Sequence, residues 1–323
     1  MAFQNRIENL PQKVVVADGA GFIGSHLCNR LIDNGYQVVC LDNLSTGRIE
    51  NIQNLLDLPT FSFIKHDIIT PYYINDVSLI FNLACPASPV HYQKDAIYTT
   101  KTAVLGTLNM LELTRVNHCP ILHSSTSEVY GDPLVHPQTE DYYGNVNPIG
   151  FRSCYDEGKR CAESLCMDYH RKYGVQVKVV RIFNTYGPRM AENDGRVVSN
   201  FITQALRGMD ITIYGDGSQT RSFQYIDDLI EAMMRVTKTS KAFTGPVNLG
   251  NPEEITIGEL ARKVLSLTKS DSQIVSMPLP QNDPTRRCPD ITLATQELDG
   301  WKPKIHIEEG LTRTIEYFRS ICQ

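Results

Sequence analysis

The sequence predicts an α/β protein built on a Rossmann-type, doubly wound parallel sheet, with a smaller C-terminal α/β substrate lobe. Short apolar runs rich in β-branched residues alternate with helical periodicity, which is typical of a parallel sheet covered by helices. A glycine-rich turn joins the first strand to the first helix. The pattern changes near residue 184, so we predict a first domain over 1–183 and a substrate lobe over 184–323. The chain is expected to cross back between them.

The first domain carries most of the strand and helix signals. Strands are predicted for the apolar runs at 13–17, 37–41, 61–65, 79–83, 121–125 and 175–183. Helices are predicted at 22–34, 102–116 and 155–173, and Gly35 is a suitable stop for the first of them. The substrate lobe begins with a loop at 184–195 and a helix at 197–207. Thr256 and Glu259 form a capping-box pattern for a further helix to about residue 267.

Composition limits the classes of protein that the chain can be. With 323 residues and 41% hydrophobic content, it is long enough for one large core or two lobes. A net charge of −5 gives no basic field, so a nucleic-acid partner is not expected. The nine cysteines are scattered without a CxxC pair, which argues against a metal site and favours a reducing cytoplasm. Residues 1–10 lack the apolar run of a signal peptide, and no stretch is apolar enough to span a membrane.

The turn after the first predicted strand fits a dinucleotide fingerprint. Residues 19–24 read Gly-Ala-Gly-Phe-Ile-Gly, and Asp42 follows at the end of the second predicted strand. Such glycines let the backbone approach a pyrophosphate, while the acidic residue binds ribose hydroxyls and repels the extra phosphate of NADP. The pattern therefore predicts NAD binding. The alternative is a glycine-rich turn between strand and helix that binds nothing.

A second pattern predicts acid–base chemistry. Tyr155 and Lys159 are four residues apart on a predicted helix, so their side chains share one face. A phenol has a pKa of about 10, and a nearby ammonium lowers it. We therefore expect the Tyr155 pKa to be lowered, so that the residue can take a proton from a substrate hydroxyl. On spacing alone, the pair could equally be two unrelated side chains on a helix flank.

The fingerprint and the Tyr–Lys pair make the chain resemble the extended short-chain dehydrogenases/reductases. That family has G-x-x-G-x-x-G, so Gly21 and Gly24 match its later glycines, but Asp18 stands where the first is expected. Aspartate tolerates a left-handed backbone better than most residues. Its carboxylate could cap the helix where the pyrophosphate binds, or repel the phosphates. We therefore expect Asp18 to reduce the affinity for NAD.

Further stretches sharpen the resemblance to the UDP-glucuronate decarboxylases within this group. They are Ser-Ser-Thr-Ser-Glu-Val-Tyr-Gly at 124–131, Asn-Pro-Ile-Gly at 147–150, and the segments 181–189, 193–198, 214–221 and 287–290. The resemblance implies NAD-dependent oxidation at C4 of UDP-glucuronate, loss of carbon dioxide and re-reduction to UDP-xylose. It also implies a homodimer, paired through the helices at 102–116 and 155–173.

The resemblance assigns roles to individual residues. Thr126, Tyr155 and Lys159 match the dehydrogenase triad, Glu128 the residue used in decarboxylation and reprotonation, and Arg287 a substrate-binding residue that would meet the departing carboxylate. Substrate is also expected at Ser127, Asn184, Tyr214 and Arg221, the last on the diphosphate. With Tyr155 and Lys159, the expected cofactor site comprises Gly21, Phe22, Ile23, Gly24, Asp42, Asn43, Ser45, Thr46, Gly47, Asp67, Ile68, Leu83, Lys101 and Arg196.

Two alternatives remain open at this stage. Nucleotide-sugar 4,6-dehydratases share the triad, and many carry Asp-Glu after the threonine where this chain has Ser127 and Glu128. A catalytically impaired homologue that only binds a nucleotide sugar is the second alternative. Asp18 is its main support, together with Ala103 and Phe151, which also depart from the residues expected in the family.

Overall fold

A computed structural model describes residues 12–278 and 286–322. Its central element is a seven-stranded parallel sheet with strand order β11-β6-β5-β4-β1-β2-β3. This confirms the predicted doubly wound α/β fold. The sequence-based argument against a signal peptide concerned residues 1–10, which lie outside the described residues.

The strands occur in the following order. They are β1 (Lys13–Ala17), β2 (Gln37–Asp42), β3 (Phe61–Lys65), β4 (Val77–Asn82), β5 (Ile121–Thr126), β6 (Val177–Ile182), β7 (Thr185–Tyr186), β8 (Ile211–Tyr214), β9 (Thr220–Ser222), β10 (Gln224–Tyr225), β11 (Val247–Leu249), β12 (Glu254–Thr256), β13 (Ile274–Met277) and β14 (Arg286–Arg287).

The α-helices alternate with these strands. They are α1 (Phe22–Asp33), α2 (Pro89–Tyr92), α3 (Ala96–Lys101), α4 (Thr107–Asn117), α5 (Ser153–Tyr173), α6 (Val197–Leu206), α7 (Ile226–Val236), α8 (Ile257–Thr268), α9 (Thr292–Glu297) and α10 (Ile307–Ile321). Two 3₁₀ turns occupy Ile49–Leu55 and Ser127–Tyr130.

Strand β1 shows why the sheet forms where the apolar runs predict it. It lies between β2 and β4, and four of its five side chains are fully buried. Val14 and Val16 belong to one hydrophobic cluster, whereas Val15 and Ala17 belong to another. Alternation in a strand sends successive side chains to opposite faces, so an unbroken apolar run is needed when both faces are covered.

One predicted helix is irregular. The helix expected at 102–116 begins as a π-turn at Thr102–Gly106 and becomes α-helical only from Thr107. Here α5 comes very close, because a Cβ added to Gly158 would lie only 2.9 Å from the Cβ of Ala103. Periodicity alone does not report such a close approach, so the widened turn was not predicted.

The second half of the chain both completes the sheet and forms smaller ones. Strand β11 pairs with β6 at the end of the main sheet. Small sheets are formed by β7 with β10, by β8 with β13, and by β9 with β12 and β14. The capping box at Thr256 and Glu259 is present at the start of α8, as predicted. In the described ranges, no helix is both long and apolar enough to cross a membrane.

Candidate active site

A cavity of about 730 Å³ opens beyond the carboxyl ends of the central strands. This is where ligands bind in open parallel sheets. It brings together residues that are far apart in the sequence, including Gly21, Thr126, Tyr155, Asn184 and Arg221. Predicted site residues from both halves of the chain therefore line one cavity.

The three triad residues lie on two neighbouring elements. Thr126 ends β5 and accepts a hydrogen bond from the backbone N–H of Glu128 at 3.2 Å. Tyr155 and Lys159 lie one turn apart on α5, and both are buried. Lys159 donates a hydrogen bond from Nζ to the backbone oxygen of Ser124 at 2.7 Å, which fixes the ammonium 6.0 Å from the centre of the Tyr155 ring.

The structure corrects the expectation for the pKa of Tyr155. Burial raises this pKa well above the ordinary value for tyrosine, and the nearby Thr126 hydroxyl opposes the shift without cancelling it. Burial also lowers the pKa of Lys159. The expectation was wrong for the protein alone because the cost of burying the phenolate outweighs the hydrogen bond from Thr126 that favours it.

Tyr92 supports Tyr155 and was missed in the sequence. The two rings stack with centroids 5.2 Å apart and an interplanar angle of 3°. Tyr92 is 1% exposed, and its hydroxyl is buried without a hydrogen-bond partner among the described residues. Its place at the end of a four-residue helix gave no periodic signal from which this contact could be predicted.

Glu128 is held by two arginines. Arg287 donates hydrogen bonds from Nη1 to Oε1 and, at 3.1 Å, from Nη2 to Oε2 of Glu128. Arg152 donates from Nη2 to Oε2 of the same carboxylate. The two guanidiniums lower the pKa of Glu128 to about 2, although burial alone would raise it. Sequence reasoning missed Arg152, although it precedes Tyr155 by three residues and so shares its helix face.

The two arginines differ in their position relative to the cavity. Arg152 and Glu128 line it, whereas Arg287 is not among the described residues that do. The side chain of Arg287 is only 5% exposed, and its Nε atom is buried without a partner among the described residues. Arg287 thus lies behind Glu128, and its predicted contact with substrate stays a prediction.

Asp156 is a further buried acid beside this group. Its Oδ2 atom lies 4.0 Å from Nε of Arg152, and its Oδ1 atom has no hydrogen-bond partner among the described residues. Burial and, next, the charge of Glu128 raise the pKa of Asp156 to about 7. The carboxylate is therefore partly protonated near neutral pH, which leaves positive charge in excess around Glu128.

The glycine turn has the shape that a dinucleotide needs, apart from Asp18. A Cβ on Gly24 would lie 1.9 Å from the backbone oxygen of Asp18, so only glycine allows α1 to begin here. Asp18 has a left-handed backbone with φ of 66°, as its residue type permits. Its carboxylate lies against Gly21, where an added Cβ would be 2.3 Å from Oδ2. Burial and, to a smaller extent, Asp42 raise the Asp18 pKa well above its usual range.

The predicted ribose-binding end of the cofactor site is also assembled. Asp42 accepts hydrogen bonds from the backbone N–H groups of Ala20 at 2.9 Å and Leu44 at 2.8 Å. Asn43 donates a hydrogen bond to Asp67 at 2.8 Å. Asp42, Asn43 and Asp67 border a smaller cavity together with Ser45, Thr46 and Ile68. Gly47 lies against the Asp42 carboxylate, where a Cβ would be 2.7 Å from Oδ2.

The other predicted cofactor residues fall into two groups. Phe22, Ile23, Leu83 and Arg196 line the main cavity, and Arg196 lies 5.6 Å from the centre of the Phe22 ring. Lys101 is exposed at the end of α3 and lines neither this cavity nor the smaller one. Its assignment to the cofactor stays a prediction. The remaining residues fit an NAD molecule, and Asp18 is the exception in an otherwise suitable cradle.

The predicted substrate residues Ser127, Asn184, Tyr214 and Arg221 all line the main cavity. The amide of Asn184 donates to the backbone oxygen of Ser222 at 3.5 Å, while Tyr214 is half exposed. Arg221 donates to the backbone oxygen of Thr220 at 2.9 Å and is paired in register with Arg287 of β14. The cavity thus has polar and cationic groups that come from the second half of the chain as well as from the first.

The first strand leads through a glycine turn into a helix, and a Tyr–Lys pair lines the same cavity as this turn. This combination defines the extended short-chain dehydrogenase/reductase class. Within that class, residues 15–314 match the family described as GDP-mannose 4,6 dehydratase. The chain belongs to this family. It is also 53% identical over 95% of its length to UDP-glucuronic acid decarboxylase 4 of Arabidopsis thaliana, of which it covers 68%. The resemblance predicted from the sequence is confirmed.

Solved structures give the same result for the fold. UDP-glucose 4-epimerase from Thermotoga maritima, with UDP-glucose, superimposes with a TM-score of 0.87 at 30% identity, covering 97% of this chain and 100% of that one. UDP-glucuronic acid 4-epimerase from Bacillus cereus, in complex with UDP-glucuronic acid and NAD, gives 0.86 at 28% identity, with 96% and 100% coverage.

Proposed function

We propose that the protein decarboxylates UDP-glucuronate to UDP-xylose with NAD as cofactor. The observation that carries this proposal is the position of Glu128, which two arginines hold beside Thr126 and Tyr155 at the cavity wall. A carboxylate fixed beside the triad can supply a proton transfer in addition to the one at the hydroxyl that is oxidised. The decarboxylases that the chain resembles support the same assignment.

The triad residues would act on the C4 hydroxyl of the sugar. Thr126 and Tyr155 are the hydroxyl groups that can meet this oxygen, and Tyr155 takes its proton. Lys159 stabilises the resulting phenolate, and its hydrogen bond to Ser124 keeps it in place. A bound NAD would supply the hydride acceptor, and its positive nicotinamide ring would offset the raised pKa of Tyr155.

Residues of the cofactor cradle would hold NAD as the sequence predicts. The turn at Gly21 and Gly24 and the N-terminus of α1 favour a pyrophosphate, while Asp42 favours a ribose. Arg196, beside Phe22, lies on the same side of the cavity.

A ketone at C4 makes the loss of the neighbouring carboxylate easy, because it accepts the electron pair that the departing carbon dioxide leaves behind. The carbon that has lost carbon dioxide then needs a proton. Glu128 is the ionisable side chain predicted for this step, and Ser127 lies next to it on the cavity wall. While both arginines hold it, Glu128 binds a proton poorly.

Incubation with UDP-glucuronate and NAD, followed by mass spectrometry, tests the proposal. We expect UDP-xylose and carbon dioxide from the wild-type protein and, over the same time, almost none of either from Tyr155→Phe. Loss of water instead of carbon dioxide from a nucleotide hexose would identify a 4,6-dehydratase. Binding of UDP-glucuronate without any product, at saturating NAD, would identify a catalytically impaired homologue.

We infer two further properties that the resemblance implies. A homodimer through the π-turn, α4 and α5 is supported by the exposed apolar side chains of Ile97, Leu105 and Val116 along α3, the π-turn and α4. A division into an NAD-binding domain and a substrate lobe near residue 184 is supported by the small sheets that follow it.

A cytoplasmic location is our third such inference. It is supported by the nine cysteines, all of which are free thiols in the described structure. Fractionation of the source cells, with the protein detected by antibody, tests it.

A further inference from the structure

The cavity wall beside Tyr155 carries a guanidinium that no substrate role was predicted for. Arg152 begins the turn from which α5 rises, three residues before Tyr155, and it lines the cavity together with Glu128. Arg287, the arginine predicted to meet the carboxylate of the sugar, lies on the far side of Glu128. The two arginines therefore have different access to a ligand in the cavity.

At this point of the cavity wall, positively charged side chains outnumber negatively charged ones. Glu128 is one anion between two guanidiniums, and Asp156 is only partly ionised near neutral pH. The side chains of Arg152 and Glu128 are 21% and 16% exposed, so their ion pair is largely shielded from water. One further carboxylate would complete the neutralisation, and a planar guanidinium binds carboxylates in two-pronged fashion.

We propose that Arg152 recognises the carboxylate of the sugar, exchanging its contact with Glu128 for one with the substrate. This inference rests on the proposed function and identifies the residue that selects uronic acids from neutral sugars. In it, Arg287 is a positioning residue that keeps its two hydrogen bonds to Glu128 throughout. The sugar carboxylate is attached to C5, the neighbour of C4, and the C4 oxygen must reach Tyr155. The carboxylate therefore comes near Arg152, which directly precedes α5 and lies three residues before Tyr155.

The exchange has a consequence for Glu128. Losing one of two guanidiniums raises the affinity of Glu128 for a proton, because a nearby positive charge is what favours its ionised form. Glu128 is therefore a weak base in the empty protein and a stronger one when a uronic acid occupies the cavity. Loss of carbon dioxide removes the competing carboxylate, so Arg152 can return to Glu128.

Binding of two ligands that differ only in the carboxylate tests this proposal. Dissociation constants for UDP-glucuronate and UDP-glucose are measured by calorimetry with NAD-saturated protein, in a Tyr155→Phe background that slows turnover by roughly 10²–10⁴-fold. Adding Arg152→Met is expected to raise the dissociation constant of UDP-glucuronate about 30-fold and that of UDP-glucose less than about threefold. Arg152→Lys, which keeps the charge without the fork, is expected to fall between.

Arg287→Met is the matched control in the same background. It is expected to change the affinities for both ligands by similar factors, because it acts through Glu128. Equal weakening of both ligands by Arg152→Met, or no weakening, overturns the proposal, as does a carboxylate-selective loss in Arg287→Met alone. Thermal unfolding of each variant checks that it is folded. If Arg152→Met does not fold, the affinities of Arg152→Lys for the two ligands test the proposal instead.

Failure of the inference is distinguishable from failure of the proposed function. The ratio of the two affinities is measured in the Tyr155→Phe background, whereas decarboxylation is measured on the wild-type protein. A wild-type protein that forms UDP-xylose while Arg152→Met keeps its selectivity overturns only the inference.

Discussion

Tyr155 is buried, stacks on another ring and lies near a fixed ammonium, and each of these affects how readily it takes up or releases a proton. Stacking on Tyr92 restricts the ring, while the hydrogen bond from Lys159 to Ser124 holds the ammonium at a fixed distance. Burial makes the phenolate costly in the protein alone. The residue is therefore poised to ionise only when additional positive charge enters the cavity.

Replacing Tyr155 by Phe is expected to reduce the rate of UDP-xylose formation by roughly 10²–10⁴-fold, because the proton acceptor is lost. Since the ring and its stacking on Tyr92 are kept, the affinity for UDP-glucose should change little. Steady-state rates and calorimetry measure the two effects. Undiminished turnover would remove Tyr155 from the chemistry.

Asp18 is the residue that departs most clearly from the expected cradle. We predict that Asp18→Asn, which keeps the shape and tolerates the left-handed backbone, tightens NAD binding by up to about tenfold, because the side chain can then no longer carry a negative charge near the phosphates. Burial raises the pKa of Asp18, so the gain is expected to grow as the pH rises. Calorimetric titration with NAD at neutral pH measures this. Asp33→Asn, at the exposed far end of α1, serves as control and should leave the affinity unchanged. Equal affinities of wild type and Asp18→Asn would contradict the prediction.

Asp156 gives a pH dependence of known sign. Its pKa in the fold is about 7, above the ordinary value of about 4, so the folded protein holds a proton that the unfolded chain releases. The associated stability is present at pH 4 and is lost as the pH rises towards 7. We expect the free energy of unfolding to fall less steeply over this range in Asp156→Asn.

Urea denaturation at a series of pH values measures that slope. Asp168→Asn is the matched control, since Asp168 lies on the same helix but is exposed and bonded to Arg171 at the surface. A slope that both variants change equally would mean that Asp156 is not the group responsible.

Helix α1 depends on the absence of a side chain at its third residue. Gly24→Ala would place a Cβ 1.9 Å from the Asp18 backbone oxygen and 2.8 Å from the Gly19 Cα, so helix and turn must separate. We expect a loss of roughly 1–3 kcal/mol in the free energy of unfolding, together with weaker NAD binding. Chemical denaturation and calorimetry measure these effects.

Gly258 provides the control at the start of another helix. A Cβ there has only ordinary contacts, the nearest at 3.4 Å from the Gly217 oxygen. Gly258→Ala should be neutral or stabilising, by at most about 1 kcal/mol, because alanine favours the helix. Similar losses in the free energy of unfolding from both substitutions would show that the close approach at Gly24 is not the cause of the loss.

At the level of elements, sequence patterns predicted the strands, helix starts and caps that neighbouring residues alone determine. The apolar run of β1, the glycine at the start of α1 and the capping box at Thr256 each specify their own structure, and all were confirmed. The π-turn before α4 was not predicted, because it depends on how near α5 approaches. The same reason explains the site: Glu128 was predicted, but its partners Arg152 and Arg287 are brought to it only by the tertiary fold.

The whole molecule presents a stripe of exposed apolar side chains along α3, the π-turn and α4. If this stripe is the dimer interface, Leu105→Glu should convert the dimer to a monomer, because it places charge in the centre of an apolar contact. Sedimentation velocity measures the change. Ile149→Glu is the control, since Ile149 is 93% exposed but lies outside the stripe. A wild-type protein that sediments as a monomer would contradict the prediction directly.

Strand β11 pairs with β6, although 64 residues separate the end of one from the start of the other along the chain. During synthesis, the nucleotide-binding sheet therefore cannot be finished when residue 183 leaves the ribosome. Until Val247–Leu249 emerge, the open edge of β6 is available to other strands. Nascent chains stalled between these two points should bind chaperones that recognise unpaired strands, and chains stalled well beyond β11 should not.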